Sequence, residues 1–301
     1  MRFTKLHGSG NDFIIVDARG SERDWSKLAV AICDRHLGAG ADGLLTVLAS
    51  SSAQLRMGLY NADGSEAELS GNGMRCFVKY AVERGLAELR EGAVTVETLA
   101  GVITAQATVE RGCVTSVRVD MGTPRFAPQE IPVAIEAQPP LLDVQLEVDG
   151  ARLSVACVSM GNPHAVLLQD EAVDRYPLAT IGPKVEHHPL FPARVNFEVA
   201  RVLARDRIEV RTWERGVGET LACGTGACAV AVAAQLRGLV DGRVELLERG
   251  GTLLIEWDGK GHVYLSGPAI EVYEGEWPER ENLEPRTGGT AEPRNRGTTE
   301  P

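Results

Sequence analysis

Much that would assign a function quickly is missing from this 301-residue chain. It has no excess of basic residues: 31 Lys and Arg stand against 42 Asp and Glu, a net charge of −11. Phosphate recognition relies on clustered cations, so neither a nucleic acid nor an anionic membrane surface is the expected partner. The six cysteines (Cys33, Cys76, Cys113, Cys157, Cys223 and Cys228) form no C-x-x-C pair and no Cys/His ligand spacing. That argues against a zinc site, and their scatter points to a reducing cytoplasm. The longest apolar run, Ala227 to Ala234, is far too short to cross a bilayer. The stretch after Lys5 is broken by His7, Gly8, Ser9 and Gly10, so no secretory signal is expected.

What is present is a core and a repeat. Hydrophobic residues make up 44% of the chain, and its length allows two domains. Segments such as Val94–Thr98 and Ile208–Thr212 alternate apolar and polar residues and read as half-buried strands. Three stretches read as helices: Trp25 to His36 before Gly38, Gly71 to Arg84 before Gly85, and Gly224 to Arg237 before Gly238. In each, the glycine is expected to supply the left-handed cap.

A short device occurs twice, as Ser70-Gly71-Asn72-Gly73 and as Cys223-Gly224-Thr225-Gly226, 153 residues apart (223 − 70). Other landmarks repeat near that spacing. Gly10-Asn11 with Phe13–Val16 matches Gly161-Asn162 with Ala165–Leu168, and Asp42 matches Asn196. Tyr60-Asn61 matches Trp213-Glu214, Glu66 matches Glu219, and Gly85 matches Gly238. The ordered series implies two similar halves. The helix after Cys223 has no polar face, so a curved sheet is expected to wrap it. From Trp277 onward the composition turns to Pro, Glu, Arg, Gly and Thr, and residues 277–301 are expected to be a disordered tail.

Each copy places a nucleophile-type residue before a glycine-flanked turn that opens a helix. Free N–H groups and the helix dipole favour an anion there, and a substrate carboxylate is the natural guest. The same field is expected to lower the pKa of Cys223. Taken alone, a C-G-T-G stretch also reads as a tight turn around a small buried residue. Asn11 and Asn61 read equally as turn residues, His164 as a satisfied loop histidine, and Glu214-Arg215 as a solvated pair.

Together these motifs resemble the diaminopimelate epimerase family. The resemblance runs from Lys5–Phe13 through Asn61–Glu66, Gly71–Gly73, Met160–His164 and Glu214–Thr220 to Ala222–Ala227, covering nearly everything before the tail. It implies an α/β (α+β) fold of two pseudo-symmetric lobes, each a curved, mostly antiparallel sheet around a central helix. The lobes are placed at residues 1–122, completed by 266–276, and at 123–265. It also implies inversion of one α-carbon of diaminopimelate, LL to meso, without pyridoxal phosphate, another cofactor or a metal. Two residues on opposite faces move the proton, here Ser70 and Cys223, with His164 and Glu214 assisting. Asn11, Asn61, Gly71, Asn72, Asn162, Asn196, Glu214, Arg215, Gly224 and Thr225 would hold the substrate. A small-molecule substrate is the expected partner, with a homodimer permitted.

The sequence departs from the family pattern at two places. The first motif normally begins with cysteine, and here it begins with Ser70, a far weaker acid. Cys76 lies six residues on, well inside the helix on a different turn, and reads as core. Three explanations stay open: a serine relay giving a slower or biased epimerase, an engineered replacement, or a different amino-acid substrate with Cys223 as sole base. With the last comes a one-base isomerase or lyase; a silent binding homologue and a thiol hydrolase are the rivals from other classes. The second departure is Gly43, where the family usually carries glutamine.

Overall fold

Residues 1–278 are described in the computed structural model of the chain; the expected disordered tail lies, from residue 279 on, outside the described residues. The first half runs β1 (Arg2–Gly8), β2 (Asn11–Asp17), α1 (Trp25–Cys33), β3 (Gly43–Leu48), β4 (Leu55–Asn61), α2 (Gly71–Glu83), β5 (Ala93–Thr98), β6 (Gly101–Glu110) and β7 (Cys113–Asp120). The second opens with β8 (Leu141–Val148), β9 (Ala151–Ser159), β10 (Pro163–Leu168), α3 (Leu178–Glu186), β11 (Asn196–Ala204) and β12 (Arg207–Glu214). It continues through β13 (Gly218–Thr220), α4 (Gly224–Leu236), β14 (Arg243–Glu248), β15 (Gly251–Glu256), β16 (Tyr264–Gly267) and β17 (Ile270–Glu276).

Strand pairing shows the duplication directly. From β1 to β7 successive neighbours pair antiparallel, parallel, antiparallel, parallel, antiparallel and antiparallel. The series β9, β10, β11, β12, β14, β15, β16 repeats that order step for step. β8 lies antiparallel on β9, and β17 takes the corresponding place on β1. β7 and β16 pair antiparallel and join the halves. The fold is therefore α+β and mostly antiparallel, with two parallel pairings in each half.

The helices follow the same spacing. α2 and α4 each span 13 residues and start 153 positions apart (224 − 71). In α4 every residue from Ala227 to Ala234 is buried, so its Val and Ala side chains pack against strands on all sides. Burying Val230 and Val232 contributes about 1.5 to 3 kcal/mol each. Gly85 and Gly238, just past α2 and α4, take the left-handed conformation at φ 66° and 70°.

Three expectations need correction. α1 stops at Cys33, short of His36, because Asp34 accepts from the N–H groups of His36 and Leu37 and turns the chain. Gly38 is not a left-handed cap; it is glycine because a Cβ there would lie 2.5 Å from Ala31 O. Asn196 answers Gly43 rather than Asp42, since Asn196 pairs with His164 as Gly43 pairs with Phe13. The sequence reading also missed α3, which starts 153 residues after α1 (178 − 25). Gly182 inside it allows the Trp213 ring to lie against the helix; a Cβ there would meet the indole at 2.5 Å. The Trp213 indole N–H then donates to Glu186 at 2.8 Å.

Candidate active site

The two Gly-X-Gly turns meet. A Cβ on Gly224 would lie 3.9 Å from Gly71 Cα and 3.7 Å from Asn72 Oδ1, so the first turns of α2 and α4 are in contact. Ser70 and Cys223 are the N-caps of these helices. Ser70 Oγ accepts from Gly73 N at 3.0 Å, and Cys223 Sγ accepts from Gly226 N at 3.4 Å. Helix N-termini leave orphan N–H donors and carry a positive partial charge. Two of them converging form a strong site for one anionic group.

The surroundings of the two caps differ. Sγ of Cys223 lies 3.5 Å from Thr225 Oγ1 and within the field of the Glu214 carboxylate. Nearby, His164 Nδ1 is 2.7 Å from Glu198 Oε1 and its Nε2 is 3.0 Å from Asn162 Oδ1, with both His164 and Glu198 fully buried. Asn162 in turn donates to Thr225 Oγ1 at 3.2 Å. Register equivalence puts Phe13 where the second half has His164, and Leu45 where it has Glu198. Asn61 stands where Glu214 does, at the end of the matching strand. The serine half carries no ionisable group at the three positions where the cysteine half does.

Burial sets the proton affinities. Cys223 is held well above the usual thiol range, first by burial and then by the charges of Glu214 and Glu198, against the hydrogen bonds from Thr225 and Gly226. The expected lowering by the helix dipole is overturned here: a dipole acts over one turn, and two carboxylates plus desolvation outweigh it. Glu214 is pushed up by burial, eased by the Thr220 hydroxyl that donates to it at 2.6 Å. Glu248, which the sequence reading did not select, accepts from Cys223 N at 3.0 Å, and burial pushes it up to about 8.

The remaining selected residues divide. Asn72 is buried and donates to Asn11 Oδ1 at 3.3 Å, and Asn11 donates to Asp42 at 2.8 Å, so these amides reach the helix contact. Asn196 is buried and already used, donating to Pro163 O at 3.2 Å and accepting from Arg215 N at 2.8 Å. Arg215 is exposed, with its guanidinium on Ala193 O at 2.8 Å. Asn61 is exposed and donates to Ser65 Oγ at 2.9 Å. Cys76 is fully buried, its thiol pushed by burial to about 12. Gly43 sits too tightly for a longer side chain, since a Cβ would meet Tyr60 O at 2.8 Å.

Both ring nitrogens of His164 are taken by Glu198 and Asn162, so His164 is not oriented onto Sγ as the base of a thiol hydrolase would be. Among the described residues no group of three or more His, Cys, Asp or Glu could hold a metal ion. Among them, too, no helix is long and apolar enough to cross a membrane.

Comparison with known proteins identifies the family. The family model described as diaminopimelate epimerase matches residues 3–127 and 156–272. The diaminopimelate epimerase of Moorella thermoacetica is 50% identical over 281 residues, covering 92% of this chain and 99% of that one. That of Pelotomaculum thermopropionicum is 50% identical over 284 residues, covering 93% of this chain and 100% of that one. Among solved structures, a probable proline racemase from Agrobacterium radiobacter K84 superposes with a TM-score of 0.68 at 18% identity, covering 95% of this chain and 94% of that one. A hydroxyproline epimerase from Agrobacterium vitis gives 0.67 at 18% identity, covering 91% of each chain; at such identities the likeness concerns the fold. Duplicated halves, touching helix N-termini and half-identical relatives along nearly the whole chain lead to one assignment: the protein belongs to the diaminopimelate epimerase family.

Proposed function

We propose that this chain interconverts LL- and meso-diaminopimelate by taking a proton from one α-carbon and returning one to its other face. The observation that carries this reading is the contact between the first turns of α2 and α4, capped by Ser70 and Cys223. The reacting carboxylate sits on the joined N-termini, whose oriented N–H groups stabilise the carbanion as it forms. Gly71, Asn72, Gly224 and Thr225 frame that group. Asn11, Asn61, Asn162, Asn196 and Arg215 hold the rest of the substrate directly or by shaping the cleft.

The chemistry is uneven. In the free enzyme burial, and after it the charges of Glu214 and Glu198, keep the Cys223 thiol protonated. An arriving α-ammonium beside Glu214 offsets that charge and frees the thiolate to act as base. His164 steadies Glu214 and Glu198 in the same field. Ser70 has no such partners: among the described residues its Oγ accepts only from Gly73 N, and Phe13 and Leu45 stand on its side. Its hydroxyl relays a solvent proton instead of holding a negative charge. Six free cysteines fit a cytoplasmic enzyme.

Chiral chromatography of LL-diaminopimelate incubated with the purified chain, with no cofactor added, tests the proposal. Growth of the meso isomer at constant total mass is expected. A product of lower mass, or unchanged LL substrate, would contradict it.

A further inference from the structure

The largest fully buried side chain of known charge in the first half is Arg75, in the second turn of α2, with no exposed surface. A buried guanidinium loses several kcal/mol of hydration unless it is matched by partners. Among the described residues no carboxylate makes an ion pair with it, and the buried Glu248 acts on it only through space. Its contacts are Pro268 O from Nε at 3.1 Å, Ser9 Oγ from Nη2 at 3.2 Å and Asn72 Oδ1 from Nη1 at 2.9 Å. The socket is glycine-walled: a Cβ on Gly8 would stand 2.9 Å from Nη2, and one on Gly267 would stand 3.2 Å from Nε. A costly cation kept in a fitted socket calls for a task.

The direction of the hydrogen bonds supplies one. Arginine only donates, so the bond to Asn72 forces the amide oxygen towards Arg75 and the NH2 group the other way. That NH2 donates to Asn11 Oδ1 at 3.3 Å and lies 3.5 Å from Ala222 O, beside the helix contact. At the far end Asp42 only accepts, and it takes the Asn11 NH2 at 2.8 Å. The chain Arg75 to Asn72 to Asn11 to Asp42 therefore has one polarity, fixed at both ends by charge. Without Arg75 the Asn72 amide keeps only its two long bonds, to Asn11 Oδ1 at 3.3 Å and Ala222 O at 3.5 Å, and loses the one short contact that fixes which of its two similarly shaped ends is which.

We propose that Arg75 is a positioning residue that sets the Asn72 amide, so that its NH2 edge and not its oxygen borders the joined helix N-termini, where the hydrogen resting on Ala222 O at 3.5 Å can turn to the reacting carboxylate. The claim rests on the proposed function for the carboxylate's place, while the amide orientation stands apart from it. A repelling amide oxygen there would weaken carboxylate binding and misplace the α-carbon.

A double-mutant cycle on the full chain tests this. Arg75→Met is expected to lower kcat/KM for diaminopimelate by about 10- to 100-fold, with Arg75→Lys between it and the native chain. Added to Asn72→Ala, the same change should cost almost nothing further. Independent, multiplying losses would overturn the proposal, because a merely structural arginine acts without Asn72. A second readout needs no turnover: the Asn72 side-chain amide pair in 15N–1H spectra, assigned by its loss in Asn72→Ala. Those signals should shift and exchange faster with solvent in Arg75→Lys. Unchanged signals would overturn the proposal; shifted signals in a chain that turns over no diaminopimelate would uphold it and reject the proposed function.

Discussion

Ser70 and Cys223 hold the same backbone conformation at the same point of two helices, φ −136°, ψ 123° and φ −129°, ψ 108°. Each side chain closes on the N–H three residues ahead. One is a hydroxyl in an apolar setting and the other a thiol ringed by acids.

Replacing Ser70 by cysteine should raise the epimerisation rate by about 10²- to 10⁴-fold, the span of a well-placed general acid or base. A thiol can hold the proton or release it near neutrality, which a hydroxyl cannot. Steady-state kcat for LL-diaminopimelate measures it; an unchanged kcat would show that the residue is not at the chemical step.

Glu214→Gln should make Cys223 easier to ionise in the free enzyme. The Glu214 charge is one of the causes holding that thiol up, after burial, so removing it lowers the thiol's pKa. Peptide-resolved alkylation by iodoacetamide across a pH series is the check, since Cys113 is exposed and reacts as well. The Cys223 midpoint should move to lower pH, while a move to higher pH contradicts the assigned field.

The α2 and α4 helices and their caps were legible in the sequence because Gly-X-Gly followed by an apolar run is a local signal. The proton affinity of Cys223 was not. Glu198 lies on β11 and Glu214 on β12, and only strand pairing carries both to the thiol. An acid inside the otherwise apolar run Phe197–Ala200 was the available hint for Glu198. α3 was hidden by Gly182-Pro183, which reads as a break, although its spacing from α1 was there to be used. Arg75 and Glu248 gave less warning, since their partners stand on distant elements.

Glu248→Gln should alter how stability depends on pH. In the folded protein burial raises this acid to about 8, against an ordinary value of about 4.3. Between those values the unfolded chain is ionised and the folded one is protonated, so stability falls as pH rises and levels off above about 8. Glutamine keeps an oxygen for Cys223 N and has no proton to lose. The melting temperature of the variant minus that of the native chain should therefore grow from pH 5 to pH 8; a constant difference contradicts the assignment.

Gly250→Ala should destabilise the fold by about 2 to 4 kcal/mol, in the range of severe steric changes. A Cβ there would lie 1.7 Å from Ser9 O, where the β1–β2 turn rests against the β14–β15 turn. Denaturant unfolding measures it, and a change near zero would show that these turns part freely.

The most direct test of opposed faces is α-deuterium uptake by LL- and meso-diaminopimelate in deuterated buffer, each followed by mass and chiral analysis. The native chain should exchange one isomer faster than it inverts it, because Cys223 returns a solvent deuteron to its own face while Ser70 delivers slowly. Ser70→Cys should make inversion keep pace with exchange, and Cys223→Ala should abolish the exchange. Equal uptake by both isomers in the native chain, or uptake that survives Cys223→Ala, would contradict the account.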